Sequence, residues 1–97
     1  MRGSNVQNIA PYTFYGYSEL KKVWFSEQTK DVGSNAFAKC TALEEIHFTS
    51  TTPPTVGSSA FANVPTTCKI YVPTGTLAAY TGKSNMPSKN TYTYVEE

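Results

Sequence analysis

The stretch of sequence that decides the fold runs from Val32 to Phe48 and reads VGSNAFAKCTALEEIHF. Its pattern of apolar residues recurs on both sides, so that Phe37 has counterparts in Phe14, 23 residues earlier, and in Phe61, 24 residues later. A nearly fixed period of this length is typical of a solenoid, in which each coil buries its apolar side only against neighbouring coils. The sequence therefore predicts a stack of similar coils.

Each coil divides into two parts with different patterns. The part that ends at Ile46 and Phe48 alternates apolar and polar residues, which predicts a short β-strand. The part from Gly33 to Phe37 opens on a turn and predicts a single helical or 3₁₀ turn. We therefore expect an α/β repeat of about three coils, with a parallel β-sheet face, short helical turns on the other side and a C-terminal cap. Two columns should run through the core, namely Phe14, Phe37 and Phe61, and Ile9, Val32 and Val56.

The period also predicts where the chain divides. It gives a leader over residues 1–8, repeats over residues 9–31, 32–55 and 56–73, and a cap over residues 74–97. The leader begins Met1-Arg2-Gly3-Ser4, which is typical of an expression vector, and no secretory signal is present. Two alternatives stay open: the chain is a fragment of a longer protein, or it is complete and intracellular.

The linker and the cap have their own signals. Pro53 and Pro54 predict that residues 51–55 form a surface loop, since proline has no N–H to give to a strand ladder. A short helix is expected over residues 76–80, with Gly82 as its end and with Leu77 and Tyr80 on one face. Residues 91–95 alternate and predict a final strand that covers the last coil.

Composition excludes several classes of function. The chain has 97 residues and a net charge of +1, so nothing attracts it to nucleic acid or to an anionic membrane. No apolar run approaches the roughly 20 residues that span a bilayer. Aromatic residues make up 13% of the chain, which indicates a β-rich and extracellular type of protein.

The two cysteines do not form a metal motif. There is no C-x-x-C pair and no Cys/His cluster, so neither a metal nor a cofactor is expected. Cys40 takes an apolar repeat position and should be buried. A Cys40–Cys68 disulfide between neighbouring coils is one alternative, and two free thiols are the other.

The sequence does not support a catalytic function. His47 is the single histidine, and it has no partner at a spacing that would make a triad or a metal site. Glu44 and Glu45 are adjacent on a strand and diverge, which is wrong for a paired acid and base. We therefore expect a protein that is not an enzyme.

The run from Val32 to Ile46, with its Gly-x-x-Ala-Phe-x-x-Cys core, resembles the BspA-like leucine-rich repeat, and so does the run from Val56 to Phe61. The resemblance covers roughly residues 9–80 and fits the C-terminal part of an array. The end coils depart from the pattern, with Tyr17 and Val64 in place of Cys40. The resemblance implies a secreted or surface protein of the kind found in gut bacteria, with a role in adhesion to host proteins or to other cells.

Superposing the repeats places six candidate binding residues in two rows on the open face of the sheet. Side chains alternate along a strand, so the residue between two inward apolar residues points outward. The rows are Trp24, His47 and Tyr71, and Lys22, Glu45 and Lys69. An aromatic row offers contact area to a protein or stacks on the sugar rings of a glycan, and the charges would set orientation.

Two less specific interpretations stay open beside this one. Lateral aromatic pairs can simply stabilise a sheet, and exposed ion pairs contribute little. The segment would then be a spacer or an end cap of a larger repeat protein, with no ligand of its own.

The first coil lacks a recognisable N-terminal cap. Tyr12 and Tyr15 are expected to be partly exposed there, whereas Tyr17 should lie in the core by its repeat position. Exposed apolar surface at this end predicts either a homodimer through the uncapped coil or a missing upstream repeat.

Overall fold

The fold consists of short strands that recur once or twice in every coil. A computed structural model describes residues 2–3 by their backbone and residues 8–97 in full. The strands are β1 (Arg2–Gly3), β2 (Asn8–Ile9), β3 (Lys22–Phe25), β4 (Asp31–Val32), β5 (Glu45–His47), β6 (Thr55–Val56), β7 (Lys69–Val72) and β8 (Thr93–Glu96). A single helix in the described chain, α1 (Leu77–Thr81), lies between β7 and β8.

The strands form two parallel sheets that run along the stack. The larger sheet has five strands in the order β1-β3-β5-β7-β8, and the smaller has three in the order β2-β4-β6. The molecule is thus a solenoid of about four turns with little helix, which confirms the predicted fold class. Most of the predicted leader lies outside the described residues, and the predicted domain boundaries stay a prediction.

The register of the larger sheet is the one that the repeat predicts. Val23 pairs with Ile46 and Ile46 with Ile70, all three pointing into the core. The smaller sheet aligns Ile9 with Val32 and Val32 with Val56, which confirms that column. Thr55 begins β6, so the predicted loop over residues 51–55 ends one residue earlier than expected.

Stacked aromatic rings fill the middle of the coils. The ring centroids of Phe14 and Phe37 are 5.2 Å apart and those of Phe37 and Phe61 are 5.6 Å apart, with nearly parallel planes. Phe25 and Phe48 form a second stack at 5.0 Å. The predicted phenylalanine column is confirmed.

The turn side of each coil consists of successive β-turns where a helical turn was expected, and two of those in the second coil end at Ala36 and Cys40. The amide of Ala36 donates to Gly33 and the amide of Cys40 donates to Phe37, at 3.1 and 3.3 Å. The third residue of each turn has a positive φ, 56° at Asn35 and 62° at Lys39. A positive φ at this position is the mark of a type II turn and is incompatible with a continuing helix.

In these turns, backbone amides point towards the following coil. The N–H groups of Asn35, Phe37 and Lys39 donate to carbonyls of the following coil at 3.1, 2.8 and 2.8 Å. A helical turn would have directed the same amides along its own axis. The alternating turns therefore bond coils to each other on the side that has no long strands.

Gly33 and Gly57 lie where successive coils approach most closely. The Gly33 amide donates to Ile9 and the Gly57 amide to Val32, both at 2.7 Å. A Cβ on Gly33 would lie 2.4 Å from the Pro11 nitrogen, and a Cβ on Gly57 would lie 2.5 Å from the Ser34 nitrogen. Both contacts are with backbone of the preceding coil, so only glycine fits.

Side-chain donors of the C-terminal segment close the last coil. Tyr80, which is fully buried, donates its hydroxyl to the Ser50 carbonyl at 2.6 Å. The Asn85 amide side chain donates to the Val56 carbonyl at 2.9 Å, and the Tyr92 hydroxyl donates to the Val64 carbonyl. The Val56 carbonyl is the one that a glycine amide of a further coil would take. The predicted C-terminal cap is therefore a set of replacement donors, together with β8 on the edge of the larger sheet.

Details of the cap and of the first coil differ from expectation. Leu77 is 38% exposed and does not share the buried face of Tyr80. The final strand begins at Thr93, two residues later than predicted. Tyr17 is 54% exposed, so its placement in the core was wrong, whereas Tyr12 and Tyr15 are exposed as expected.

Both cysteines are free thiols in the core, so the disulfide alternative is not realised. The Cys40 thiol donates to the Phe14 carbonyl of the preceding coil at 3.2 Å. Burial raises the pKa of Cys40, and burial with the nearby Glu45 and Glu44 charges raises the pKa of Cys68 to about 12.

We expect Gly33→Ala to lower the free energy of unfolding by about 1–3 kcal/mol, because the added methyl overlaps the backbone of the first coil. Urea denaturation followed by circular dichroism measures the change. The matched control is Ala10→Gly, at the equivalent position of the first coil, which should change stability by less than about 1 kcal/mol. A Gly33→Ala protein as stable as the parent would contradict the close approach.

Neither thiol should react with a thiol-specific reagent in the folded protein at about pH 8, because both are buried and neutral. Ellman's reagent should titrate both thiols once denaturant is added. Rapid modification of one thiol without unfolding would show that the coil around it opens.

Candidate functional site

The aromatic residues of the open sheet face form one continuous stack, which we call the aromatic ladder (Trp24, His47 and Tyr71). Strand pairing sets Trp24 beside His47 and His47 beside Tyr71. The ring centroids are 4.8 and 4.4 Å apart, and the planes differ by 7° and 4°. These distances match the spacing of neighbouring strands, about 4.8 Å, so the ladder follows directly from the register of the coils.

Stacking decides which parts of the rings a ligand can reach. Each face of the His47 ring is covered by a neighbouring ring, and one face of Tyr71 lies against His47. Val95 of β8 is the register partner of Tyr71 on its other side. The ladder therefore presents only the edge of the His47 ring, between the half-buried side chains of Trp24 and Tyr71.

His47 is the most enclosed member of the ladder, with 9% of its surface exposed. Its Nε2 lies 2.7 Å from Glu45 Oε1 and its Nδ1 lies 3.0 Å from Glu97 Oε1. An ionised carboxylate only accepts hydrogen bonds, so both bonds form when the ring carries a proton on each nitrogen. Between two rings and two carboxylates, His47 is enclosed and held in position, and it is not the exposed histidine that the sequence indicated.

The charged row is coupled to the ladder through Glu45. Lys22 Nζ lies 3.5 Å from Glu45 Oε2, while the other carboxylate oxygen accepts from His47. The hydrogen bond from His47 is the main cause that lowers the pKa of the Glu45 carboxyl; burial opposes it, and the charge of Lys22 adds to the lowering. Lys69 is exposed beside Glu45 in the register but forms no ion pair within the described residues. The expected alternating row is thus a Lys22–Glu45–His47 chain with Lys69 projecting beside it.

A comparison with known families decides which family these coils belong to. A family model described as BspA type leucine rich repeat region matches residues 3–88, in 6 copies. This chain belongs to the BspA-type leucine-rich repeat family. No curated protein matches the chain.

Membership gives a coarse picture of the protein. Leucine-rich repeats are generally non-enzymatic and serve as repeat or binding modules, and the BspA type is typically a surface or secreted protein. No helix among the described residues is long and apolar enough to cross a membrane. Among the described residues of this leucine-rich repeat chain, no three His, Cys, Asp or Glu side chains are grouped so that they could hold a metal ion.

One residue of the site was missed by sequence reasoning, namely Glu97. It follows β8 and reaches back to His47 across 50 positions of sequence. The Glu97 amide and carbonyl are both bonded, to Val72 and to Thr74, which holds the residue beside the sheet. Sequence reasoning could have placed Glu97 beside His47 only if the parallel pairing of β8 with β7 had been known.

A groove in this leucine-rich repeat protein lies away from the ladder. It has a volume of about 500 Å³ between α1 and β8, and Leu77, Tyr92, Tyr94 and Lys89 are among its lining residues. None of the six candidate residues lines it. The groove is thus a feature of the cap and is separate from the open sheet face.

The lowered pKa of Glu45 predicts a pH-dependent contribution to stability. A carboxyl whose pKa is lower in the folded protein stabilises the fold above its unfolded value, near 4.5, and loses that contribution as the pH falls. The stability difference between the parent and Glu45→Gln should therefore be largest above about pH 5 and shrink towards pH 3.

Urea midpoints measured across that range test this expectation. Glu44→Gln is the matched control, since Glu44 is the adjacent exposed carboxylate and forms no ion pair among the described residues. Equal pH profiles for the two variants would mean that the contact between Glu45 and His47 does not contribute.

Proposed function

We propose that this protein is a non-catalytic binding module that engages another protein through the open face of its five-stranded sheet. The observation that supports it is the aromatic ladder, three stacked rings held rigidly beside a charged row on an accessible face. Aromatic side chains fixed in place lose little entropy on binding and are enriched at the energetic centres of interfaces.

The ring geometry favours a protein partner over a glycan. Stacking on a sugar requires a free ring face, and the faces of His47 are already occupied. Edges of stacked rings, with lysines and a carboxylate beside them, suit the mixed apolar and polar surface of a protein. A glycan partner therefore becomes an outcome of the test and not the proposal itself.

The six candidate residues take different roles in this proposal. Trp24 and Tyr71 are half-buried and would contact the partner directly. His47 would act as a positioning residue, since its ring separates the two and its nitrogens are engaged by Glu45 and Glu97. Exposed Lys22 and Lys69 would guide approach and orientation.

We propose adhesion as the biological setting of such a module, since the BspA type is typically a surface or secreted protein. A surface or secreted protein meets extracellular proteins of a host or of neighbouring cells, and the open face of a sheet can contact them over a wide area. We therefore place the partner among extracellular proteins.

A structural role is the second candidate, and a specific contact favours it. Glu97 ties the end of the cap to His47 in the middle of the sheet, at 3.0 Å. In a spacer or end segment of a larger repeat protein, the ladder would only brace the strands against each other.

The double variant Trp24→Ala/Tyr71→Ala should distinguish the two functions. Binding to immobilised extracellular-matrix proteins, measured by surface plasmon resonance beside a glycan array, should fall at least about tenfold in this variant. Circular dichroism and the urea midpoint must show that the variant is folded.

The matched control removes an exposed apolar and a charged side chain from the groove of the cap, in Leu77→Ala/Lys89→Ala. It should bind as the parent does. Undiminished binding by a folded ladder variant, loss of binding in the control, or binding of glycans alone would each overturn the proposal.

A further inference from the structure

Two linkers join the larger sheet to the smaller one, the first between β3 and β4 and the second between β5 and β6. They are hydrogen-bonded to each other near both ends. Thr49 Oγ1 donates to the Phe25 carbonyl at 2.7 Å, and the Thr55 amide donates to the Lys30 carbonyl at 2.8 Å. Between these two bonds the second linker is one residue longer than the first. The two linkers therefore cannot match residue for residue along this part of the stack.

A polar pocket of about 280 Å³ lies between the two linkers and the cap, and we call it the linker pocket. All of its lining residues except Pro53 carry a hydroxyl or a charge. It shares no lining residue with the groove beside α1, and none of the six candidate residues of the sheet face lines it. Its volume is close to the lower limit of small-molecule sites, so it suits a ligand of about one ring.

Local hydrogen bonds hold both linkers in a fixed shape. Ser26 Oγ accepts from the Gln28 amide at 3.0 Å, and Ser50 Oγ accepts from the Thr52 amide at 3.1 Å, so each linker contains the same serine turn. Ser50 is held a second time, because its carbonyl accepts from the buried Tyr80 hydroxyl at 2.6 Å. The backbone around the linker pocket is thus preorganised, which lowers the entropy cost of binding.

Two lysines give the linker pocket a positive charge. Lys30 comes from the first linker and Lys83 from the cap, and Lys83 is half-buried. Among the described residues, neither ammonium group forms an ion pair, although Glu27 lines the same pocket. Two ammonium groups at one pocket attract an anionic group of a ligand.

Other groups of the linker pocket are suited to hydroxyls. Within the part of the chain that the structure describes, the hydroxyls of Thr52 and Thr55 form no hydrogen bond, and the Glu27 carboxylate has no cationic partner. A threonine hydroxyl both donates and accepts, whereas an ionised carboxylate only accepts. Hydroxyl groups of a ligand satisfy all three side chains, whereas a bare inorganic anion would be repelled by Glu27.

We propose that the linker pocket binds one unit of an acidic sugar, that is, a sugar ring that carries a carboxylate or a sulfate. Lys30 and Lys83 bind the acid group, and Glu27 binds hydroxyl groups of the ring together with the two threonines. A neutral sugar would leave both ammonium groups without a partner. An inorganic anion would leave the carboxylate and the threonine hydroxyls without one.

This site goes beyond the proposed function and does not depend on it. The aromatic ladder lies on the open face of the larger sheet, whereas the linker pocket lies beyond the ends of β3 and β5. The ladder variant Trp24→Ala/Tyr71→Ala should therefore bind the sugar as the parent does. Failure of either proposal leaves the other one standing.

Heteronuclear NMR titrations of the whole chain test the proposal. The probes are glucuronic acid and glucose monosulfate, and the controls are glucose and inorganic sulfate. At least one acidic sugar should shift the backbone amide signals of Thr52, Thr55 and Lys83 in a saturable way. Each control should bind at least about tenfold more weakly than that sugar. Whichever probe binds more tightly identifies the acid group.

The variant Lys30→Gln/Lys83→Gln should bind the acidic sugar at least about tenfold more weakly, because two contacts to the charged group are lost. The matched control, Lys21→Gln/Lys39→Gln, removes the same charge from two exposed residues outside the pocket and should bind as the parent does. Circular dichroism shows whether each variant is folded. The amide shifts of the parent locate the site without any variant.

Several outcomes would overturn the proposal. One is the absence of saturable shifts at these amides with both acidic sugars. Another is binding of glucose or of inorganic sulfate as tightly as the acidic sugar, which would make the pocket a neutral-sugar site or a simple anion site. Equal losses in the two lysine variants would indicate general attraction by charge. Undiminished binding by a folded Lys30→Gln/Lys83→Gln variant would place the sugar elsewhere.

Discussion

Hydrogen bonding between coils is the interaction on which the rest of this structure depends. Strand amides on the sheet sides and turn amides such as that of Phe37 on the third side hold every coil about one strand spacing from the next. That spacing brings aromatic rings into stacking distance wherever they recur, in the core and on the surface. It also requires glycine at Gly33, where one backbone crosses closest to another.

The parts of the structure that the sequence predicts are those that repeat. Phe14, Phe37 and Phe61 share a position in the period, so their alignment follows once the coils stack. The same reasoning places Trp24 beside His47, because a register that aligns inward residues also aligns outward ones. Because the pattern repeats, several coils each indicate the same alignment of residues. Departures from the pattern in the end coils therefore do not prevent the prediction.

Features without a periodic signal escaped prediction. The smaller sheet has strands of two residues, too short to show alternation. The positive φ of Lys39 occurs in a residue that rarely adopts it, and coil-to-coil hydrogen bonds select it. Tyr17 shares a repeat position with Cys40, but its side chain is 54% exposed. Glu97 lies beside His47 through the parallel pairing of the cap, a contact that depends on tertiary structure alone.

The equivalence of Gly33 and Gly57 has a consequence for how such a protein changes length. The preceding coil approaches both glycines in the same way, so the contact between one coil and the next is the same at both positions. Tandem duplication of one internal period would insert a new coil at a seam already suited to it and add a ring position to the surface stack. Evolution can therefore vary the number of coils by changes within the stack, without altering the contacts between the coils already present.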